Sequence, residues 1–126
     1  MYTQTILIVD DEPQVRSLLA RVLHSAGFTV LTAECGLEAI SISHAHPGEI
    51  ALLITDINLP GMTGWTLARE FQETEPDAPV LFISGGCQDA EFDADEHSEF
   101  LAKPFAPATL LVEVRHLLTL NHDKVS

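Results

Sequence analysis

The stretch that decides the fold is TILIVDD at residues 5–11, in which a continuous apolar run ends on two carboxylates. Its apolar residues do not alternate with polar ones, which is typical of a strand covered by other elements on both faces. Similar apolar runs follow at residues 28–33, 50–55, 80–84 and 100–102. A segment of helical character follows each run, so the sequence predicts strands alternating with helices.

The helices are predicted from the spacing of apolar residues. After the first strand, a single apolar stripe is formed by Val15, Leu18, Leu19, Val22 and Leu23. We expect Asp11 or a neighbour to cap this helix, Pro13 to fit its first turn and Gly27 to end it. The last helix begins at Pro107 and carries the same spacing at Leu110, Leu111, Val114, Leu117 and Leu118. Residues 37–45 and 64–74 are the remaining predicted helices, the second ended by Glu75 before Pro76.

This alternation predicts a parallel sheet with right-handed crossovers and helices on both faces. We expect an α/β, doubly wound, flavodoxin-like layout with strand order 2-1-3-4-5, whose site lies beyond the carboxyl ends of the strands. The 126 residues are expected to form a single domain, with a core at about 5–120 and a polar tail at 121–126. Met1 and that tail fit a complete small protein.

The composition limits the classes of partner. Asp plus Glu number 19 and Lys plus Arg 6, which gives a formal charge of −13 and a pI near 4.5. A chain of this charge repels phosphate backbones and anionic lipids, so we expect no nucleic-acid or membrane binding. Cys35 and Cys87 form no metal or redox motif, and no basic leader or membrane-spanning apolar run is present in the sequence. We expect a cytoplasmic protein.

Polar residues that can carry chemistry directly follow the strands. Carboxyl ends of parallel strands meet at one edge of a sheet, which brings together Asp10, Asp11, Asp56, Ser84 and Lys103. Three carboxylates this close repel one another unless a cation lies between them, and oxygen ligands suit Mg²⁺. With the Lys103 ammonium and the Ser84 hydroxyl added, the pocket indicates phosphoryl transfer to a carboxylate.

The motifs at these strand ends also resemble those of a known family, the receiver domains of two-component response regulators. They are Asp10-Asp11 after an aliphatic strand, DINLPGMTG at residues 56–64, Ser84 before Gly85, and Lys103-Pro104-Phe105. Each motif is weak by itself, but their order and their places at successive strand ends are specific. The resemblance covers residues 5 to about 120.

By that resemblance, Asp56 is the phosphoacceptor, which takes a phosphoryl group from a phosphohistidine to give an acyl phosphate. The donor is a sensor histidine kinase or a histidine phosphotransfer protein. The resemblance implies Mg²⁺ as the cofactor, held by Asp10, Asp11, Asp56 and the backbone carbonyl of Asn58.

The resemblance also implies how the signal leaves the site. Lys103 and Ser84 would bind the phosphoryl oxygens, and Ser84 together with Phe100 would form a conformational switch that a downstream protein target detects. The peptide bond between Lys103 and Pro104 is expected to be cis.

One segment departs from the family pattern. Members of the family usually have about three more residues between the hydroxyl residue, here Ser84, and the lysine, here Lys103. The departure lies in residues 87–99, which contain six acidic residues: Asp89, Glu91, Asp93, Asp95, Glu96 and Glu99. We expect a short, distorted or mobile fourth helix here. The acidic residues form either a solvated face or an altered surface for a protein partner.

Three other functions compete with the phosphoacceptor receiver, which is not a conventional enzyme. A pseudo-receiver would bind a partner without phosphorylation, and the unusual fourth helix favours it. The chain could also be the receiver portion of a larger hybrid kinase or regulator. A phosphatase or mutase of the haloacid-dehalogenase type is disfavoured because such enzymes need an aspartate where this chain has Asn58.

Overall fold

The computed structural model describes residues 3–85 and 98–125. Strands and helices alternate along these residues as far as β3, which is followed by the hairpin β4–β5 before α3. The elements are β1 (Thr5–Val9), α1 (Pro13–Ser25), β2 (Thr29–Ala33), α2 (Gly36–Ala45), β3 (Ile50–Asp56), β4 (Asn58–Leu59), β5 (Met62–Thr63), α3 (Gly64–Thr74), β6 (Val80–Ser84), β7 (Ser98–Ala102) and α4 (Pro107–Val125).

The main sheet has five parallel strands in the order β2-β1-β3-β6-β7. The short β4 and β5 pair with each other in an antiparallel sheet of their own. When these two are left out of the count, the order is 2-1-3-4-5, so the predicted fold class is confirmed. The predicted strand bounds are close to the observed ones, although β7 begins at Ser98 rather than at residue 100.

Two separate cores lie on the two faces of the sheet. Ile6 and Ile8 belong to one core, together with residues of α1 and α4 such as Leu19 and Leu110. The intervening Leu7 and Val9 belong to the other core, which includes residues of α2 and α3. Each residue of β1 from Ile6 onward is therefore buried, and this explains why the run does not alternate.

Both ends of α1 lie where the sequence predicts them. Glu12, a neighbour of Asp11, is the N-cap residue, although its side chain makes no capping hydrogen bond. The Asp10 carboxylate instead accepts a hydrogen bond from the Glu12 N–H at 2.9 Å, so the acidic pair is turned toward the sheet edge. At the other end Gly27 has φ +101°, and the Gly27 and Phe28 N–H groups close the helix on the His24 and Leu23 carbonyls, as predicted.

The last helix is longer than expected. Its backbone is helical from Pro107 to Val125 and so includes most of the predicted polar tail. Within residues 3–85 and 98–125, no helix combines the length and apolar character that crossing a membrane requires. The short, distorted or mobile fourth helix was predicted within residues 87–99, of which residues 87–97 lie outside the described residues and Ser98 and Glu99 belong to β7.

Candidate functional site

Three carboxylates meet at the carboxyl edge of the sheet. Asp10 and Asp11 follow β1 directly, and Asp56 is the last residue of β3. One carboxylate oxygen from each lies within 4.8 Å of the others. Asp10 and Asp56 are buried, with 1% and 7% of their surface exposed, while Asp11 is exposed. The structure thus brings together all three carboxylates that the sequence placed at one edge.

Lys103 brings a positive charge into this acidic group. Its Nζ lies 3.1 Å from Asp56 Oδ2, 3.4 Å from Asp10 Oδ2 and 3.4 Å from Glu12 Oε1. Lys103 directly follows β7, its peptide bond to Pro104 is cis, and its N–H donates to the Ser84 carbonyl at 2.7 Å. The edge strand β7 therefore places the ammonium next to the carboxylates at the ends of β1 and β3.

The pKa values of two groups reflect this arrangement. Burial raises the pKa of Asp10, and the Glu12 N–H and the Lys103 charge offset that rise only in part. Burial alone would lower the pKa of Lys103, but its hydrogen bond to Asp56 and the nearby acidic charges outweigh burial and raise it. Lys103 is therefore charged at neutral pH, while the charge on Asp10 is held at a cost in free energy.

The loop after β3 fixes the Asp56 side chain. Asp56 Oδ1 accepts the Asn58 N–H at 3.0 Å, while Oδ2 faces Lys103. The hairpin β4–β5 turns at Pro60 and Gly61, where φ is +82°, and returns the chain to the Asp56 backbone. A Cβ at Gly64 would collide with the Asp56 carbonyl oxygen, so this close return requires glycine.

Ser84 and Phe100 lie on the neighbouring strands β6 and β7. Ser84 is buried at the end of β6, one strand away from Asp56. Phe100 is half-buried, is paired with Phe82 in the sheet register and packs against the core beneath α2 and α3. The Trp65 ring contacts the Phe82 ring with centroids 4.4 Å apart, so this face of β6 and β7 is aromatic.

Two contacts of the site were missing from the sequence interpretation. From the sequence, Glu12 is only a residue near the start of α1, yet its carboxylate reaches Lys103. No motif includes Arg16, yet its Nη1 donates to the Asp10 carbonyl at 2.7 Å. The only sequence feature that points to these contacts is the position of both residues at the start of a helix, because a long side chain there leans back toward the preceding loop.

The acidic group has the character of a cation site. Its ligand atoms are all oxygen, two of its carboxylates are buried, and one ammonium does not balance three negative charges. Repulsion between carboxylates a few ångströms apart favours a further positive charge between them. Asp10, Asp11 and Asp56 could therefore hold a metal ion.

Known proteins are similar to this chain in sequence and in fold. The family model of the response regulator receiver domain matches residues 6–115. The sensor kinase CckA of Brucella abortus (strain 2308) is 39% identical over 117 residues, which are 90% of this chain and 12% of that kinase. The response regulator receiver protein CpdR of the same strain is 34% identical over 116 residues, 90% of this chain and 95% of CpdR.

A solved structure agrees with these matches. The crystal structure of a response regulator receiver protein from Sinorhizobium medicae WSM419 superposes with a TM-score of 0.86 at 32% identity, and the match covers 94% of this chain and 97% of that one. The chain also spans about half the length of other curated relatives, such as the transcriptional regulatory proteins CssR of Bacillus subtilis (strain 168) and CusR of Escherichia coli (strain K12).

Proposed function

The chain belongs to the response regulator receiver domain family, and we propose that Asp56 accepts a phosphoryl group from a phosphohistidine of a partner protein. The observation that carries the proposal is the Asp56 carboxylate itself, which is fixed by the Asn58 N–H and lies 3.1 Å from the Lys103 ammonium. Its neighbours at the sheet edge are the two carboxylates that follow β1.

The proposed reaction is a displacement at phosphorus. A bond forms between an Asp56 carboxylate oxygen and phosphorus, and the bond from phosphorus to the histidine nitrogen breaks. The electron pair of the broken bond stays on the imidazole, which takes up a proton. The negative charge carried by the phosphoryl oxygens needs positive charge close by, and the Lys103 ammonium supplies part of it.

We propose Mg²⁺ as the cation of the site. Asp10, Asp11 and Asp56 would hold it together with the backbone carbonyl of Asn58, and their oxygen-only donor set fits a hard divalent ion. When bound, Mg²⁺ supplies positive charge that offsets the carboxylates and the phosphoryl oxygens. The buried Ser84 at the end of β6 would donate its hydroxyl to the same oxygens.

Phosphorylation would be transmitted through the edge of the sheet. The new charge on Asp56 would attract Ser84 and Lys103, which are linked through the Ser84 carbonyl and the Lys103 N–H. Phe100, half-buried on the neighbouring strand, would change its packing in response and alter the surface seen by a downstream protein. We propose that the chain acts in the cytoplasm as a phosphorylated signalling protein rather than as a conventional enzyme.

A second candidate concerns the protein in which the receiver works. The match to 12% of the sensor kinase CckA favours a receiver that takes its phosphoryl group within a hybrid kinase. The match to 95% of CpdR favours a receiver that meets a separate kinase or phosphotransfer protein. Asp56 is the acceptor in both, and only the source of the phosphohistidine differs.

The test is phosphorylation by a small acyl phosphate. Wild-type protein, Asp56→Asn and the exposed α3 variant Glu73→Gln are incubated with acetyl phosphate and Mg²⁺, and intact mass is followed. Wild type and Glu73→Gln are each expected to gain one phosphoryl group, and a chelator is expected to prevent this. Asp56→Asn is expected to gain none. Labelling of Asp56→Asn would identify another acceptor. If the wild-type protein is not labelled, and beryllofluoride also leaves its amide NMR shifts near residues 56, 84 and 103 unchanged, the result would support a pseudo-receiver instead.

A further inference from the structure

Arg16, near the start of α1, contacts the main chain of the acidic pair. Its Nη1 donates a hydrogen bond of 2.7 Å to the Asp10 carbonyl, six residues earlier. Helical side chains lean toward the N-terminus of their helix, so a long side chain here reaches back over the preceding loop. The start of the helix is itself fixed, because the Arg16 N–H donates to the Glu12 carbonyl at 3.0 Å.

The contact completes the set of bonds that hold Asp10. The Asp10 N–H donates to the Ala33 carbonyl at 3.2 Å, at the end of β2. Asp10 Oδ1 accepts the Glu12 N–H at 2.9 Å, and Oδ2 lies 3.4 Å from Lys103 Nζ. Asp10 lies just beyond the end of β1. Its carbonyl accepts a hydrogen bond from the Arg16 guanidinium, whereas a carbonyl within a strand accepts one from a neighbouring strand. Peptide and carboxylate are thus fixed together.

We propose that Arg16 is a positioning residue for the cation site, because it fixes the Asp10 peptide and so keeps the buried carboxylate directed at Asp11 and Asp56. This role rests on the proposed function, in which those three carboxylates hold Mg²⁺. A planar guanidinium forms a charge-assisted hydrogen bond in a defined direction, whereas a lysine ammonium is a mobile point charge. Loss of a residue that orients a metal ligand typically weakens metal binding by about 10- to 100-fold.

Charge alone predicts the opposite effect. Arg16 places a positive charge beside a site for a cation, so its removal would relieve repulsion and strengthen cation binding. Loss of positioning would weaken binding instead, because the Asp10 carboxylate would no longer be held in one direction. The sign of the change in Mg²⁺ affinity therefore separates the two effects. Arg21, exposed on the same helix, offers a matched control for the loss of one positive charge.

The experiment measures Mg²⁺ dissociation constants by calorimetry for wild type, Arg16→Met, Arg16→Lys and Arg21→Met, with urea unfolding to establish that each variant is folded. Arg16→Met is expected to bind Mg²⁺ about 10-fold more weakly. Arg16→Lys keeps the charge and is expected to lose less affinity for Mg²⁺ than Arg16→Met; it also tests the role if Arg16→Met does not fold. Arg21→Met is expected to lose no affinity. Labelling by acetyl phosphate at saturating Mg²⁺ should be unchanged in the control Arg21→Met, whose side chain is exposed on α1 outside the site.

Two results would overturn the role of Arg16, and they differ in what else they overturn. Mg²⁺ binding that is unchanged or tighter in Arg16→Met, with normal binding by wild type, removes the positioning role alone. A wild-type protein that takes up no Mg²⁺ removes the cation site and, with it, both this role and the proposed function.

Discussion

Asp10→Asn is expected to make the protein more stable when no divalent cation is present. The carboxylate is the most deeply buried of the three, with 1% of the residue exposed. An asparagine has nearly the same shape, and its side-chain oxygen can still accept the Glu12 N–H that Asp10 Oδ1 accepts at 2.9 Å. The substitution therefore removes the buried charge with little change in packing.

The expected gain follows from the distances in the site. At an effective dielectric constant of about 20, the attraction between Asp10 and Lys103 at 3.4 Å is about 5 kcal/mol. The repulsion between Asp10 and Asp56, at up to 4.8 Å, is about 3.5 kcal/mol or more. The net attraction is at most about 1.5 kcal/mol, which is smaller than the several kcal/mol by which burial destabilises a carboxylate. We expect the free energy of unfolding to rise by about 1 to 2 kcal/mol at neutral pH.

The pH dependence gives the prediction its sign. Burial raises the pKa of folded Asp10 above the ordinary value of 3.8. The folded state then binds the proton more tightly than the unfolded state, so this group lowers wild-type stability as the pH rises from 3.8 through the folded pKa. The variant lacks this titration. Its advantage is therefore absent in acid and complete at neutral pH.

Urea unfolding with a chelator, repeated across this pH range, provides the measurement. Glu73→Gln removes an exposed charge from α3 and is expected to change stability by less than about 0.5 kcal/mol. Added Mg²⁺ should stabilise wild type, by about 2.7 kcal/mol at a hundredfold excess over its dissociation constant, and Asp10→Asn much less. Two results would refute the argument that burial dominates at Asp10. One is an Asp10→Asn protein less stable than wild type at neutral pH, and the other is a stability advantage over wild type that is as large in acid as at neutral pH.

Two further substitutions probe the loop and the ammonium. Gly64→Ala places a Cβ against the Asp56 carbonyl oxygen, so urea unfolding should show a loss of about 1 to 3 kcal/mol, and an unchanged midpoint would mean that the hairpin can move away. Lys103→Met removes the ammonium that contacts Asp10 and Asp56, so the free energy of unfolding without Mg²⁺ should fall by about 2 kcal/mol. The loss is smaller than for a fully buried ion pair because the Lys103 side chain is 18% exposed. Mg²⁺ should restore more stability to Lys103→Met than to wild type, and an equal gain in both would contradict the proposed competition for the carboxylates.

The regular elements were predictable because each is specified by adjacent residues. Residues 64–74 form α3 as predicted, since Thr63 accepts the Thr66 N–H at the start and Glu75 precedes a proline at the end. The strands were recognisable because both faces of each central strand are buried. The carboxylates and Lys103 could then be placed together from topology alone, because parallel strands bring their carboxyl ends to one edge.

Contacts between distant residues were not predictable in the same way. The bonds from Lys103 to Glu12 and from Arg16 to the Asp10 carbonyl depend on the direction of long side chains, which apolar periodicity does not specify. The prediction that Asp11 or a neighbour caps α1 is confirmed for the neighbour Glu12, but the sequence did not show that the Glu12 side chain makes no capping hydrogen bond. It also did not show that the Asp10 carboxylate bonds the Glu12 N–H from outside the helix. The Asp10 side chain, although it is close to the start of α1, therefore belongs to the acidic group at the sheet edge.

Lys103 connects the chemistry of the site with the edge of the sheet. Its ammonium contacts the same Asp10 and Asp56 oxygens that a cation would need, so we expect these carboxylates to hold Lys103 less tightly once a cation shares them. The ammonium is then available to phosphoryl oxygens on Asp56. Because the Lys103 N–H is bonded to the Ser84 carbonyl at 2.7 Å, a shift of Lys103 acts directly on the end of β6. The same residue that compensates the acidic group before phosphorylation would thus carry the change to the strands that bear Ser84 and Phe100.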